Sequence, residues 1–303
     1  MKIGLIGLGK MGGNMVQRLV EKDHEVVAYD LDEEAVKAAA QHGAEAASSL
    51  ADLVARLEAP RTVWIMLPHG GPTNKTVAAA LDEVSEEDLI VDGGNSHYTD
   101  TLANAKACRE RGVDFLDIGM SGGIWGLEIG YCMMAGGPER AFRRIEPVIR
   151  ALAPEDGYAR VGDNGAGHFV KMIHNAIEYA MLEAIGEGFE AIQRSPFDVD
   201  LGRVADLWTH GSVIRSWLLE LLARAFDQEG EDLGGIAPYV EESGTGRWTA
   251  QYALEQGIPM PNITQSLFER FASQIDERFS YKVIAALRNQ FGGHAVRREG
   301  EEG

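Results

Sequence analysis

Lys2-Ile3-Gly4-Leu5-Ile6-Gly7-Leu8-Gly9-Lys10-Met11-Gly12 opens the chain and decides how its first half is read. A short apolar run suits a buried strand. The glycines after it match G-x-G-x-x-G at the point where a strand turns into a helix, and Met11 to Leu19 then has helical spacing. A second strand, Val26-Val27-Ala28-Tyr29, ends on Asp30, 18 residues after Gly12. In a dinucleotide-binding βαβ unit the glycines let a pyrophosphate rest on the helix N-terminus, and an acid in this place takes ribose hydroxyls. Asp30 would repel a 2′-phosphate, and Leu31-Asp32-Glu33-Glu34 has no arginine to receive one. NAD is therefore expected over NADP.

Further apolar runs at 62–66, 89–91, 113–118 and 131–135 alternate with helical stretches at 33–41, 74–81, 101–111 and 138–151. Such alternation predicts an α/β Rossmann domain, a doubly wound and mainly parallel sheet, over 1–165. Ligands of these sheets bind beyond the carboxyl ends of the strands. Leu67-Pro68-His69-Gly70, Asp92-Gly93-Gly94-Asn95-Ser96 and Gly119-Met120-Ser121-Gly122-Gly123 fall on that edge. From 166 to 303 the periodicity is helical, at 167–192, 201–208, 213–226, 245–255, 263–273 and 281–290. An all-α second domain is expected, with a frayed polar end from Arg297 to Gly303.

Composition narrows the function classes. The 303 residues carry 47 Asp and Glu against 28 Lys and Arg, a net charge of −19. Acids such as Asp32-Glu33-Glu34, Asp82-Glu83, Glu86-Glu87-Asp88 and Glu229 to Asp232 are spread over presumed helix surfaces. Nucleic acid is not an expected partner, and a surface of this kind suits a high-salt cytoplasm, where self-repulsion is screened. No apolar run is long enough to span a bilayer, and the start shows no cleavable signal pattern. A cytoplasmic enzyme without membrane contact is expected. Cys108 and Cys132 have no metal spacing and read as reduced packing residues; no metal site is expected.

Gly167-His168-Phe169-Val170-Lys171-Met172-Ile173-His174-Asn175-Ala176-Ile177-Glu178-Tyr179 begins the long helical pattern. Lys171, His174, Asn175 and Glu178 stand at i, i+3, i+4 and i+7, so they form one polar stripe on an otherwise apolar helix. Such a stripe either faces water or lines a site.

Taken together, Gly7 to Gly12, Asp92 to Thr101, Ser121-Gly122-Gly123, Gly167 to Tyr179 and Gly244-Thr-Gly-Arg-Trp-Thr249 closely resemble the decarboxylating 6-phosphogluconate dehydrogenases, in their short form with a single helical domain. The likeness runs from Gly4 to His294. It implies oxidative decarboxylation of 6-phospho-D-gluconate to D-ribulose 5-phosphate and CO2 with reduction of NAD. Gly7, Leu8, Gly9, Lys10, Met11, Gly12, Asp30, Leu67 and Asn95 would hold the cofactor. Lys171 would be the general base for the C3 hydroxyl, since desolvation can favour a neutral lysine, and Glu178 would protonate C1 of the enediol left by decarboxylation. His174 and Asn175 would hold substrate hydroxyls, with Asn95, Ser121, Gly122 and Gly123 at the carboxylate end. Tyr179, Arg247, Thr249 and Arg270 match the family's phosphate contacts. Arg288 and His294 match a tail motif that reaches a neighbouring subunit's site, which implies a homodimer or homotetramer. A different β-hydroxyacid dehydrogenase, acting on an unphosphorylated acid such as 3-hydroxyisobutyrate, would share the fold and Lys171 but would not need Arg247, Arg270 and Arg288.

Overall fold

The computed structural model describes residues 1–297; beyond Arg297, the polar end expected from sequence lies outside the described residues. Among the described residues eight strands form one sheet: β1 (Lys2–Ile6), β2 (Glu25–Tyr29), β3 (Glu45–Ala46), β4 (Thr62–Ile65), β5 (Leu89–Asp92), β6 (Asp114–Ser121), β7 (Cys132–Gly136) and β8 (Tyr158–Gly162). Their spatial order is β3-β2-β1-β4-β5-β6-β7-β8. The strands from β1 to β6 pair in parallel, β6 and β7 are antiparallel, and β7 and β8 are parallel again. The reversal follows from chain length. Parallel neighbours need a crossover of a dozen or more residues, whereas β6 and β7 are joined by the short segment 122–131, which holds a 3₁₀ turn and helix α6 (Gly126–Ile129).

Helices α1 (Lys10–Glu21), α2 (Glu33–Gln41), α3 (Leu50–Ala55), α4 (Gly71–Glu83), α5 (Tyr98–Glu110) and α7 (Glu139–Leu152) connect the other strands. They cover both sheet faces, so strand residues of either parity are buried. Ile3, Leu5, Trp64, Leu89 and Val91 enter one apolar cluster, while Ile6, Val63, Ile65, Ile90 and Phe115 enter the other. Continuous apolar strands are what a parallel sheet with two covered faces requires.

Helix α8 (Ala166–Gln193) follows β8, and α9 (Leu201–Thr209), α10 (Trp217–Glu229), α11 (Thr245–Gln256), α12 (Pro261–Ser273) and α13 (Phe279–Gly292) come after it. The chain divides into two compact units, Met1–Ala176 and Ile177 onward. In the second unit Phe189 of α8 packs with Leu201 and Ala205 of α9 and with Leu219 and Phe226 of α10. Helix α13 buries no residue and exposes Phe279, Tyr281, Val283, Ile284, Leu287 and Phe291.

Several local expectations differ from the structure. The two-residue β3, the edge strand β8 and the six-residue α3 carry too little pattern to be read from sequence. Helix α10 begins at Trp217 instead of Val213, because 212–216 forms a turn in which the Ile214 N–H meets Ser212 Oγ at 3.3 Å and Val213 is fully exposed. Cys132 is exposed, so it is no packing residue; Cys108 is buried, and burial pushes its thiol up to about 12. Asp88 is not a surface acid: it is buried, accepts the N–H groups of Arg61 and Ser85, and pairs with the Arg61 guanidinium at 3.1 Å. The other acids of those runs, Asp32, Glu33, Glu34, Asp82, Glu83, Glu86, Glu87, Glu229, Glu231 and Asp232, are exposed.

Exposed like charges repel over a Debye length of roughly 30 Å at 0.01 M salt but only about 3 Å at 1 M. Thermal unfolding followed in a KCl series should therefore show Tm rising by several degrees between these limits. A Tm independent of KCl would mean that the acidic surface does not govern stability.

Candidate active site

The first glycine turn is shaped by close approach. Gly7 has φ +95°, and a Cβ there would lie 2.3 Å from the Met66 carbonyl oxygen, while one at Gly12 would lie 1.9 Å from the Gly7 oxygen. Gly9 faces open space and is the N-cap of α1, with no side chain capping that helix. The first amides of α1 are thus presented to a ligand, as a pyrophosphate requires. Asp30, at the end of β2, accepts the Leu8 N–H at 2.6 Å and the Asp32 N–H at 2.9 Å, which fixes its carboxylate beside the turn. Leu31 is 90% exposed and Asp32 caps α2 through the Glu34 N–H, so neither supplies a cation. Lys10 is exposed, and Met11 packs on the apolar cluster under α1. Leu67 packs on the opposite cluster, and Asn95 is half-buried in the turn after β5. These residues fit a dinucleotide without a 2′-phosphate.

Ser121 ends β6, with Gly122 and Gly123 at φ +124° and +54° directly after it. Helix α1 holds the segment that follows: Asn14 donates to the Ile124 carbonyl at 3.2 Å, and Arg18 donates to Leu127 at 2.8 Å. Lys171, on the second turn of α8, is 8% exposed, and its Nζ lies 3.4 Å from His174 Nδ1. His174 Nδ1 is also 3.1 Å from Asn175 Oδ1. A ring nitrogen either accepts from the lysine or, when protonated, donates to the amide oxygen, so proton position and side-chain contact are linked there. Lys171, His174 and Asn175 are therefore one polar group in the first unit.

The second unit gathers a different set. Tyr179 is buried, and its hydroxyl bonds Ser243 Oγ at 3.0 Å and the Ser243 N–H at 3.1 Å. The Arg270 guanidinium stacks 3.6 Å above the Tyr179 ring and donates to the Glu241 carbonyl at 2.7 Å. Arg247 pairs with the largely buried Glu242 carboxylate at 3.3 Å and lies over Phe271. All border the start of α11, whose N-cap Gly244 offers no side chain. Two arginines, a tyrosine and an uncapped helix start suit a phosphate. Thr249 is fully buried and donates to the Thr245 carbonyl at 2.9 Å, so its hydroxyl serves the helix. Glu178 is half-buried on α8. Arg288, in the last two turns of α13, and His294, beyond its end, are exposed. Ser243 and Glu242 were missed in sequence, as was Asp117, although an acid inside the buried run Phe115-Leu-Asp-Ile118 is a signal that a partner exists.

A dinucleotide turn, a buried lysine on a long helix and a helical second unit define a Rossmann-type hydroxyacid dehydrogenase. The family model for the NAD binding domain of 6-phosphogluconate dehydrogenase matches residues 2–162, and that for the C-terminal domain of 6-phosphogluconate dehydrogenase matches 167–289. The chain belongs to the 6-phosphogluconate dehydrogenase family. It is 48% identical over 300 residues to an NAD(+)-dependent, decarboxylating 6-phosphogluconate dehydrogenase of Haloferax volcanii, covering 99% of each chain. A decarboxylating 6-phosphogluconate dehydrogenase of Bacillus licheniformis is 34% identical, with 94% of this chain covering 64% of that protein. The structure of the Plasmodium falciparum 6-phosphogluconate dehydrogenase superposes with a TM-score of 0.83 at 26% identity, covering 100% of this chain and 67% of that one. Among the described residues no helix is long and apolar enough to cross a membrane, and no group of three His, Cys, Asp or Glu could hold a metal ion.

Asp30→Asn keeps an acceptor for the Leu8 N–H but removes the charge. Steady-state rates with each cofactor should show the NAD to NADP preference falling about tenfold, or about 1.4 kcal/mol. An unchanged ratio would place the discrimination elsewhere.

Proposed function

We propose that this protein carries out the oxidative decarboxylation of 6-phospho-D-gluconate to D-ribulose 5-phosphate and CO2 with NAD. The observation that carries the reading is the buried Lys171 joined to His174 and Asn175 in a chain whose two halves both match this family. Bound NAD supplies the hydride acceptor. Gly7, Leu8, Gly9, Lys10, Met11 and Gly12 would seat it, Asp30 would take the ribose hydroxyls, and Leu67 and Asn95 would also help to hold it. Neutral Lys171 takes the proton of the C3 hydroxyl as hydride leaves C3. The same ammonium returns that proton to the C3 oxygen when the C1 carboxylate departs as CO2 and its electrons form the enediol. Glu178 then protonates the enediol carbon that becomes C1 of the pentulose, while Lys171 takes back the proton of the former C3 hydroxyl as that oxygen becomes the C2 ketone. His174 and Asn175 hold hydroxyls, Ser121, Gly122 and Gly123 hold the carboxylate end, and Tyr179, Arg247 and Arg270 take the phosphate, with Thr249 supporting the start of α11. A cytoplasmic location belongs to the same proposal.

A second copy of the chain completes the site in this reading. The uncovered apolar face of α13 supports a homo-oligomer, since a helix stripe of this type needs a partner surface, and Arg288 and His294 would act in the neighbouring site.

Initial rates with 6-phosphogluconate and NAD, with CO2 trapped, should give reduced cofactor and CO2 in equal amounts. Lys171→Met should lose at least about 1,000-fold in kcat, and Arg270→Ala should raise KM for 6-phosphogluconate but leave NAD binding intact. Turnover of an unphosphorylated 3-hydroxy acid without CO2 would overturn the reading. Mixing inactive Lys171→Met with inactive Arg288→Ala should restore about a quarter of wild-type activity, because half of a randomised twofold dimer population then holds one intact site. No recovery after subunit exchange would remove Arg288 from the partner's site.

A further inference from the structure

Phe115, Asp117, Gly119 and Ser121 share one face of β6, because side chains alternate along a strand. Asp117 is fully buried there, and a carboxylate in an apolar strand is retained only with strong partners. Its two oxygens accept backbone amides at the start of α8: the Gly165 N–H at 2.8 Å and the His168 N–H at 3.0 Å. The first amides of a helix lack intrahelical partners. Asp117 thus does from a strand 48 residues away in sequence what an N-cap side chain usually does locally, with a charge that suits the helix dipole.

Two attachment points fix both the height and the rotation of the first turn. Lys171 lies three residues beyond His168, less than one turn away. Directly below it is Gly119, where a Cβ would fall 2.3 Å from Lys171 Cβ, and Ser121 follows on the same strand face. The neighbouring contact is equally tight, since a Cβ on Gly167 would lie 2.4 Å from the Asp117 carbonyl oxygen and 2.5 Å from that of Met134. His168 is also tied to α5, with Nδ1 2.7 Å from Thr101 Oγ1.

We propose that Asp117 is a positioning residue for the reaction: its carboxylate sets the placement of α8 that brings Lys171 Nζ to the C3 hydroxyl. The inference rests on the reading of Lys171 as the base. Asp117 itself is covered by the helix and acts only through it.

Asp117→Asn keeps the shape and one acceptor oxygen, and Asp117→Ala removes both. Rates with 6-phosphogluconate and NAD, the isotope effect with substrate deuterated at C3, and NADH affinity by fluorescence titration distinguish the outcomes. A misplacement near 1 Å can cost about 100-fold, so kcat should fall about tenfold in Asp117→Asn and about 100-fold in Asp117→Ala. The isotope effect on kcat should rise as C3 hydride transfer slows, and NADH affinity should stay at the wild-type value, because β4 and β5 separate β6 from the cofactor turn. Wild-type kcat and isotope effect in folded Asp117→Asn would overturn the proposal. So would a loss of kcat matched by an equal loss of NADH affinity. If Asp117→Ala does not fold, Gly119→Ala provides the second test: it displaces Lys171 with Asp117 intact and should reproduce the lowered kcat and raised isotope effect, whereas wild-type values there would also overturn the proposal. Lys171→Ala, assayed alongside, separates the two readings. Wild-type turnover in Lys171→Ala removes the base and the proposal with it, while an inactive Lys171→Ala beside a wild-type Asp117→Asn removes the positioning role alone.

Discussion

At Gly167 the backbone of α8 meets the backbones of β6 and β7 with no side chain between them. A methyl group there would collide with carbonyl oxygens of both strands, and one at Gly136 would come within 2.7 Å of Asp117 Oδ2 and of the Gly167 N–H nitrogen. The contact is possible only because three strand and helix positions, 119, 136 and 167, lack a side chain together. Small residues at one contact allow close packing, but they bury little apolar area and supply little cohesion of their own. Hydrogen bonds must then hold the helix down, and charge-assisted bonds to backbone amides contribute about 1.5–3 kcal/mol each. Asp117 supplies two of them.

The antiparallel turn of the sheet belongs to the same arrangement. Because β7 runs against β6, Gly136 stands opposite Asp117 and Met134 opposite Gly119, so both strands present their narrowest points to one helix turn. The short link that enforces the reversal also carries Gly122 and Gly123, and α1 ties that link down through Asn14 and Arg18. Helix α1 therefore contributes at both ends, with its N-terminus toward the cofactor turn and its polar side chains toward the segment after Ser121.

Much of this was legible in sequence where the signal is local. The glycine turn with Asp30, the alternation of strands and helices, and the stripe Lys171, His174, Asn175, Glu178 all depend on spacings within one or two elements. Interactions between distant segments were not legible. Asp117 and the amides of α8 lie 48 and 51 residues apart, and Tyr179 and Ser243 lie 64 apart. Charge counting failed at Asp88 for the same reason, since its buried pairing with Arg61 spans 27 residues. The phosphate contacts proposed for Arg247 and Arg270 rest on family likeness and not on any local sequence pattern. Their stacking on Phe271 and Tyr179 explains how a flexible cation is held, because a planar guanidinium loses less freedom when it rests on a ring.

A net charge of −19 and a phosphorylated acid as substrate are compatible, because the two effects act over different distances. Exposed acids act through water and salt and are screened within a Debye length. In the proposed site Arg270 would act at contact distance, with its guanidinium oriented by the Glu241 carbonyl and the Tyr179 ring. Arg247 is partly offset by Glu242, which holds it in place and would leave its remaining donors for a phosphate in the proposed site. Lys171 is placed differently: backbone amides of the first turn of α8, held by the Asp117 carboxylate, fix its place against Gly119.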